Sequence, residues 1–174
     1  MTAPNLTLTP LVSVVMGSAS DYSVMRSAAS VLSDFNVPHE VRVISAHRTP
    51  DVAHAFCAGV KERGLKLIIA AAGKAAHLAG VLAASTTIPV IGVPMKTSDL
   101  GGLDSLLSMV QMPAGIPVGT VAIGEAGAKN AAYFAVAILA LSDMALACKL
   151  EDYRCKMADE VKQADERIRE GRES

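Results

Sequence analysis

From Leu11 onward, short runs rich in β-branched residues alternate with longer segments of helical period, and few folds accommodate that alternation. The runs are "LVSVVM" (11–16), "HEVRVI" (39–44), "LKLIIAA" (65–71), "PVIGV" (89–93) and "VGTVAI" (118–123). Between them the periodicity predicts helices over 22–34, 50–63, 75–85, 103–109 and 126–141. Strand and helix in regular succession call for a parallel sheet, because each crossover must return the chain to the end of the sheet it left. The strands are nearly continuous in apolar character, as strands covered on both faces are. The chain therefore reads as a three-layer α/β domain built on a doubly wound parallel sheet. Five strands with an early Gly/Ser-rich turn favour the flavodoxin-like arrangement, while periodicity alone leaves the strand order open.

A length of 174 residues suits one domain with a core of its own, here over 11–143. Hydrophobic residues make up 51% but aromatics only 3%, so the apolar content is mostly Ala, Val, Leu, Ile and Met. No stretch reaches the about 18 to 20 continuous apolar residues of a membrane span. The surplus is better placed at subunit interfaces, which predicts a homo-oligomer. After Ser142, read as an N-cap, a stripe of Leu146, Leu150, Tyr153, Met157 and Val161 predicts a protruding amphipathic helix over 144–162. A neighbouring subunit is its expected partner. The charged residues 163–174 read as a disordered tail, and 1–10 as a frayed arm without signal-peptide features. A net charge of -1 without a basic block offers no footprint for nucleic acid. Three cysteines, Cys57, Cys148 and Cys155, with no CxxC pair, suit the cytoplasm.

Ligands of doubly wound sheets collect at the carboxyl ends of the strands, which singles out four loops. In "MGSASD" (16–21), Gly17 permits a tight turn, Ser18 and Ser20 supply hydroxyls, and the next helix offers free N–H groups to a phosphate. Asp21 is open to a second reading as that helix's N-cap. In "ISAHRTPD" (44–51), Arg48 carries a planar fork suited to phosphate oxygens and His47 can exchange a proton near neutral pH. The alternative is that Ser45 or Thr49 with Pro50 starts a helix while His47 and Arg48 are merely solvated. The third loop, "AAAGKAAHLAG" (70–80), is poor in bulk, so its backbone can approach a ligand closely, with Lys74 at the mouth. His77 there reads by itself as a packing or capping histidine. In the fourth loop, "VPMKTSDLGGLDSL" (93–106), Lys96, Asp99 and Asp104 read as surface charges on a segment able to close over the site. The histidines are not spaced with carboxylates or thiols as metal ligands are, and no nucleophile elbow is present. One histidine, a phosphate pocket and a small-residue loop suit proton transfer on a small phosphorylated metabolite.

The stretches "VVMGSASD", "VPHEVRVISAHRTP", "AAHLAG", "PVIGVP", "GLDSLLSMVQMPAGIPVGTVAIG" and "GAKNAA" together resemble the PurE family, the N5-carboxyaminoimidazole ribonucleotide mutases of bacterial purine synthesis. The likeness spans residues 11–143. It implies a flavodoxin-like fold, an octamer whose C-terminal helices embrace neighbours, and no metal, biotin or ATP. It further implies that Ser18 and Arg48 hold the substrate phosphate, that Asp21 accepts hydrogen bonds from the ribose hydroxyls, and that His47 transfers the proton. Ser20, Ser45, Gly73, Lys74, Ala75 and His77 complete the implied substrate site. The reaction implied moves a carboxylate from an exocyclic nitrogen to carbon 4 of an imidazole, through carbon dioxide held in a small, dry pocket with walls from Ala70 to Ala76. Members usually carry glycine where this chain has Lys74 and Ala71, and proline where it has Ala79. A lysine forced into positive φ would be strained by roughly 1 kcal/mol. Two alternatives remain: a carboxylase acting directly on the unmodified ribonucleotide, whose animal-type members carry Arg-Ser-Asn in this loop, and a non-catalytic nucleotide- or flavin-binding module. Three Tyr, three Phe and no Trp offer little for flavin stacking.

Overall fold

A computed structural model describes residues 9–171. Five strands form one parallel sheet: β1 (Val12–Met16), β2 (His39–Val43), β3 (Leu67–Ala72), β4 (Val90–Pro94) and β5 (Gly119–Thr120). Their order is β2-β1-β3-β4-β5, the flavodoxin-like arrangement. The helices are α1 (Tyr22–Asp34), α2 (Pro50–Ala58), α3 (Leu78–Ser85), α4 (Leu103–Val110), α5 (Glu125–Ala140) and α6 (Met144–Arg169), with a 3₁₀ turn at Ala19–Asp21. The described residues fall into two compact units, one ending at Ala135 and one beginning at Val136.

Every residue of β1, β3 and β4 is buried, as their nearly continuous apolar runs require. Val15, Ile68, Ala70 and Val90 join Ala53 and Phe56 of α2, Leu78 and Leu82 of α3 and Met109 of α4 in one core. The expectation of continuous burial fails at β2. In "HEVRV" charged residues alternate with Val41 and Val43, both exposed, because β2 lies at a sheet edge and has a neighbour on one side only. β5 is likewise shorter than expected, although Val121 N–H to Gly92 O (3.0 Å) and Gly124 N–H to Pro94 O (2.9 Å) tie its continuation to β4. α2 ends at Ala58 rather than 63, where Gly59 and a turn closing at Gly64 (φ 78°) interrupt the helix.

α6 corrects two readings. Its cap is Asp143, whose Oδ1 accepts the Leu146 N–H at 3.0 Å, while the Ser142 hydroxyl donates back to Leu139 O at 3.4 Å. Residues 163–169, read as disordered, continue the helix to Arg169. Its Glu, Lys, Gln and Arg residues are strong helix formers, and Lys162–Asp159 (2.9 Å) and Arg169–Asp165 (3.9 Å) pair along its surface. Residues 1–8 of the expected N-terminal arm and 172–174 of the tail lie outside the described residues.

One polar group sits inside the sheet. The fully buried Ser13 hydroxyl donates to Glu40 Oε1 at 2.9 Å, and Glu40 Oε2 accepts from Arg63 with Arg42 4.0 Å away. Partial burial works to raise the Glu40 carboxyl, but hydrogen bonds from Arg63 and Ser13 and the two guanidinium charges outweigh it and hold the group below its ordinary value. A depressed carboxylate stabilises the fold above its unfolded-state pKa, and that contribution is lost as pH falls through the folded value. Glu40→Ala, which leaves the buried Ser13 hydroxyl without its acceptor, is expected to cost about 2 kcal/mol in urea denaturation at pH 7. The difference from wild type should shrink as the pH drops below the carboxylate range; a pH-independent difference would show that ionisation plays no part.

Candidate active site

The carboxyl ends of β1 to β4 open into one cleft of about 530 Å³. Ser18, Ser20, Asp21, Ser45, His47, Arg48, Gly73, Lys74, Ala75 and His77 all line it, so the three loops picked out for chemistry converge. Of the expected Ala/Gly walls, Ala72, Gly73 and Ala75 do so too, whereas Ala70, Ala71 and Ala76 are turned into the core and fully buried. Gly73 is needed where the loop after β3 passes the one after β4: a Cβ there would stand 3.3 Å from Met95 Cβ.

The first loop is built on Ser18. Its Oγ accepts the Ser20 N–H (3.3 Å) and the Ser20 hydroxyl (2.8 Å), which winds the 3₁₀ turn ahead of α1. Asp21 occupies the N-cap position of α1, yet its carboxylate caps nothing. The capping reading therefore fails, and the residue lines the cleft instead. Burial raises the Asp21 carboxyl above its ordinary value, against a smaller opposing effect from Ser20, whose hydroxyl lies 3.4 Å from Oδ1.

In the second loop Pro50 does open α2, but His47 and Arg48 are not merely solvated. Thr49 also fails to cap; its Oγ1 donates to Ser45 O (2.9 Å) and accepts the Ser45 N–H (3.0 Å), closing the loop on itself. Arg48 Nε donates to Ser45 Oγ (3.3 Å) and Nη2 to the Gly17 carbonyl (2.9 Å), so the guanidinium is pinned across the ends of β1 and β2. His47 reaches across to the third loop: its Nε2 lies 2.9 Å from His77 Nδ1, with the rings at 82° and centroids 4.9 Å apart. His77 stands at the N-cap position of α3 without capping it, so the packing or capping reading fails as well. The two ring nitrogens lie at hydrogen-bond distance, an arrangement through which a proton can be passed within the cleft.

A profile of the AIR carboxylase family matches residues 11–160. The chain belongs to that family. It is 54% identical over 150 residues to the N5-carboxyaminoimidazole ribonucleotide mutase of Escherichia coli (strain K12), covering 86% of this chain and 89% of that protein. The mutase of the same name from Bacillus subtilis (strain 168) is 54% identical over 145 residues, 83% of this chain and 90% of its own. The crystal structure of Treponema denticola PurE superposes with a TM-score of 0.84 at 29% identity, over 91% of this chain and 98% of the other. None of the described helices is long and apolar enough to cross a membrane.

Against the AIR carboxylase pattern given above, Lys74 is the departure with a structural consequence. Its φ is 59°, in the left-handed region where glycine is preferred. The turn survives because the fully buried Ser105 hydroxyl accepts the Lys74 N–H at 2.9 Å and the Ser108 hydroxyl donates to Lys74 O at 3.4 Å. Ala71 pairs within the sheet and Ala79 lies in the first turn of α3, where proline is equally tolerated, so neither alters the backbone. Lys74→Gly should raise stability by up to about 1 kcal/mol by relieving the left-handed strain, whereas Lys74→Ala keeps the strain and should not. Chemical denaturation of both variants checks this; equal effects would mean the strain is absent.

The fourth loop, expected to be able to close over the site, reads in the sequence as carrying only surface charges, and that reading is corrected for Lys96 and Asp104. Met95, Lys96, Thr97 and Ser98 line the cleft. Asp104 is no surface charge: Thr97 Oγ1 donates to its Oδ1 (2.9 Å) and accepts the Gly102 N–H (3.1 Å), bracing the loop. Asp99 pairs with Lys74 at 3.2 Å, both side chains well exposed. The rule that ligands gather at strand ends already included this loop; nothing in its composition separated the lining residues from the bracing ones.

Proposed function

We propose that this chain is an N5-carboxyaminoimidazole ribonucleotide mutase, an isomerase that moves the substrate's carboxylate from the exocyclic nitrogen to carbon 4 in purine biosynthesis. The observation that carries the reading is the His47–His77 proton pair beside a hydroxyl and guanidinium cradle in one cleft. Ser18, Ser20, Ser45 and Arg48 take the phosphate and Asp21 the ribose hydroxyls. Gly73, Lys74 and Ala75 pass beside the heterocycle.

The steps balance around a single proton. A carbamate loses carbon dioxide when its nitrogen is protonated, and the His47–His77 pair supplies that proton. Carbon 4, made nucleophilic by the freed amine, attacks the trapped carbon dioxide and forms the new carbon–carbon bond. Carbon 4 then gives up its hydrogen as a proton to the same pair, restoring both the aromatic ring and the starting protonation state. His77 serves as the positioning partner that fixes the His47 ring and shares its charge. Phosphate binding at a distance from the reacting atoms removes orientational freedom, and the narrow walls at Ala72, Gly73 and Ala75 limit escape and hydration of the gas.

The protein acts in the cytoplasm as a homo-octamer. Leu100, Leu103, Leu107 and Val110, on and just before α4, are large apolar residues about half exposed or more, and Met157, Val161 and Ile168 repeat the pattern on α6; such surfaces suit burial between subunits. Feeding purified protein with the carbamate ribonucleotide, or with the unmodified ribonucleotide plus bicarbonate, tests the function. Conversion of the first to the 4-carboxylate is expected. Preference for the second would reassign the chain as a direct carboxylase.

A further inference from the structure

The cleft crosses the sheet edge in the order β2, β1, β3, β4. With parallel neighbours about 4.8 Å apart, the loop after β2 and the loop after β4 are separated by about 14 Å. A ribonucleotide is somewhat shorter than that, so side chains reaching inward from the two loops can meet both of its ends. Arg48 belongs to the first end, held there by Ser45 and Gly17. At the other end stand two ammonium groups of different standing. Lys74 is neutralised by Asp99 at 3.2 Å. Lys96 lines the cleft and, among the described residues, has no carboxylate within ion-pair distance.

The backbone that carries Lys96 is anchored on both sides. Met95 N–H donates to Ala72 O at 3.0 Å, extending the β3–β4 ladder to the residue before it. Thr97, the residue after it, is tied to Asp104 and Gly102. Lys96 therefore sits at the root of its loop, and an uncompensated cation is presented from a fixed position at the cleft end away from the phosphate cradle.

We propose that Lys96 is a specificity-determining residue that pairs with the substrate's carboxylate, an inference that rests on the mutase reading above. A ribonucleotide carrying a carboxylate on its base has anionic groups at both ends, and this cleft offers a cation to each. The unmodified ribonucleotide has only the phosphate. Lys96 thus separates the two ligand classes by charge at the base end, leaving the proton chemistry to His47 and His77. It holds the carboxylate while it is still bonded to nitrogen and again once it is bonded to carbon, and has no hold on neutral carbon dioxide between.

The test is Lys96→Gln, at an exposed position where the fold is not at stake. The Kd or KM of the carbamate ribonucleotide should rise about tenfold, as loss of one charge-assisted contact in a cleft implies, with kcat unchanged or higher. Binding of the unmodified ribonucleotide should stay within about twofold, and Lys96→Arg should restore the preference. Equal weakening of both ligands, or of neither, overturns the assignment. So does the pattern expected if Lys74 supplied the charge: Asp99→Asn would tighten the carbamate ribonucleotide while Lys96→Gln left it alone. Failure of the mutase reading looks different, because wild type would then isomerise no carbamate ribonucleotide, and the Lys96 assignment would fall with it.

Discussion

His47→Asn should bind the carbamate ribonucleotide about as well as wild type and turn it over roughly 10²- to 10⁴-fold more slowly, the range that a positioned acid and base commands. Asparagine fills much of the imidazole's volume without adding charge, although its amide ends at the δ position and falls short of the 2.9 Å contact that Nε2 makes with His77 Nδ1. What it lacks is a titratable proton. Both the protonation of nitrogen and the removal of hydrogen from carbon 4 need one, so the loss appears in kcat rather than KM. Calorimetric binding and a product assay on one preparation separate the two quantities. Unchanged turnover would remove His47 from the chemistry, and a parallel loss of binding would make it a contact residue instead.

The sheet and the site were legible in the sequence to different depths. Nearly continuous apolar runs announced β1, β3 and β4 because both faces of each are covered, and burial on two faces admits a polar residue only where it is paired, as Ser13 is with Glu40. β2 and β5 lie at the edges, where exposure relaxes that constraint, and there the character of one and the length of the other departed from expectation. The end of α6 was misread because high charge suggests disorder, whereas the same residues at spacings of three and four stabilise a helix. At the site, strand-end logic singled out the loops of Ser18, Asp21, His47 and Arg48, and all four residues line the cleft. The partnership of His47 with His77 joins residues 30 positions apart across β1, and no local pattern encodes it. The strain at Lys74 was visible as a question, since a lysine in a glycine-like turn either distorts the backbone or is held; Ser105, from a helix whose relation to that turn only the fold reveals, holds it.

Arg48→Met should lower kcat/KM by about 100-fold, chiefly through KM, if its guanidinium grips the phosphate. Two of its five N–H groups are committed to Ser45 Oγ and Gly17 O, which fixes the plane of the fork and leaves three for phosphate oxygens. A flexible ammonium cannot reproduce that geometry, so Arg48→Lys should recover only part of the loss. The decisive comparison uses the dephosphorylated nucleoside of the same substrate. Without a phosphate to bind, wild type and Arg48→Met should become nearly equal, because methionine removes only a contact that this ligand never makes. A defect that persisted with the nucleoside would mean that Arg48 acts by shaping the loop which carries His47, through its ties to Ser45 and Gly17, and the phosphate would have to be met elsewhere in the cleft.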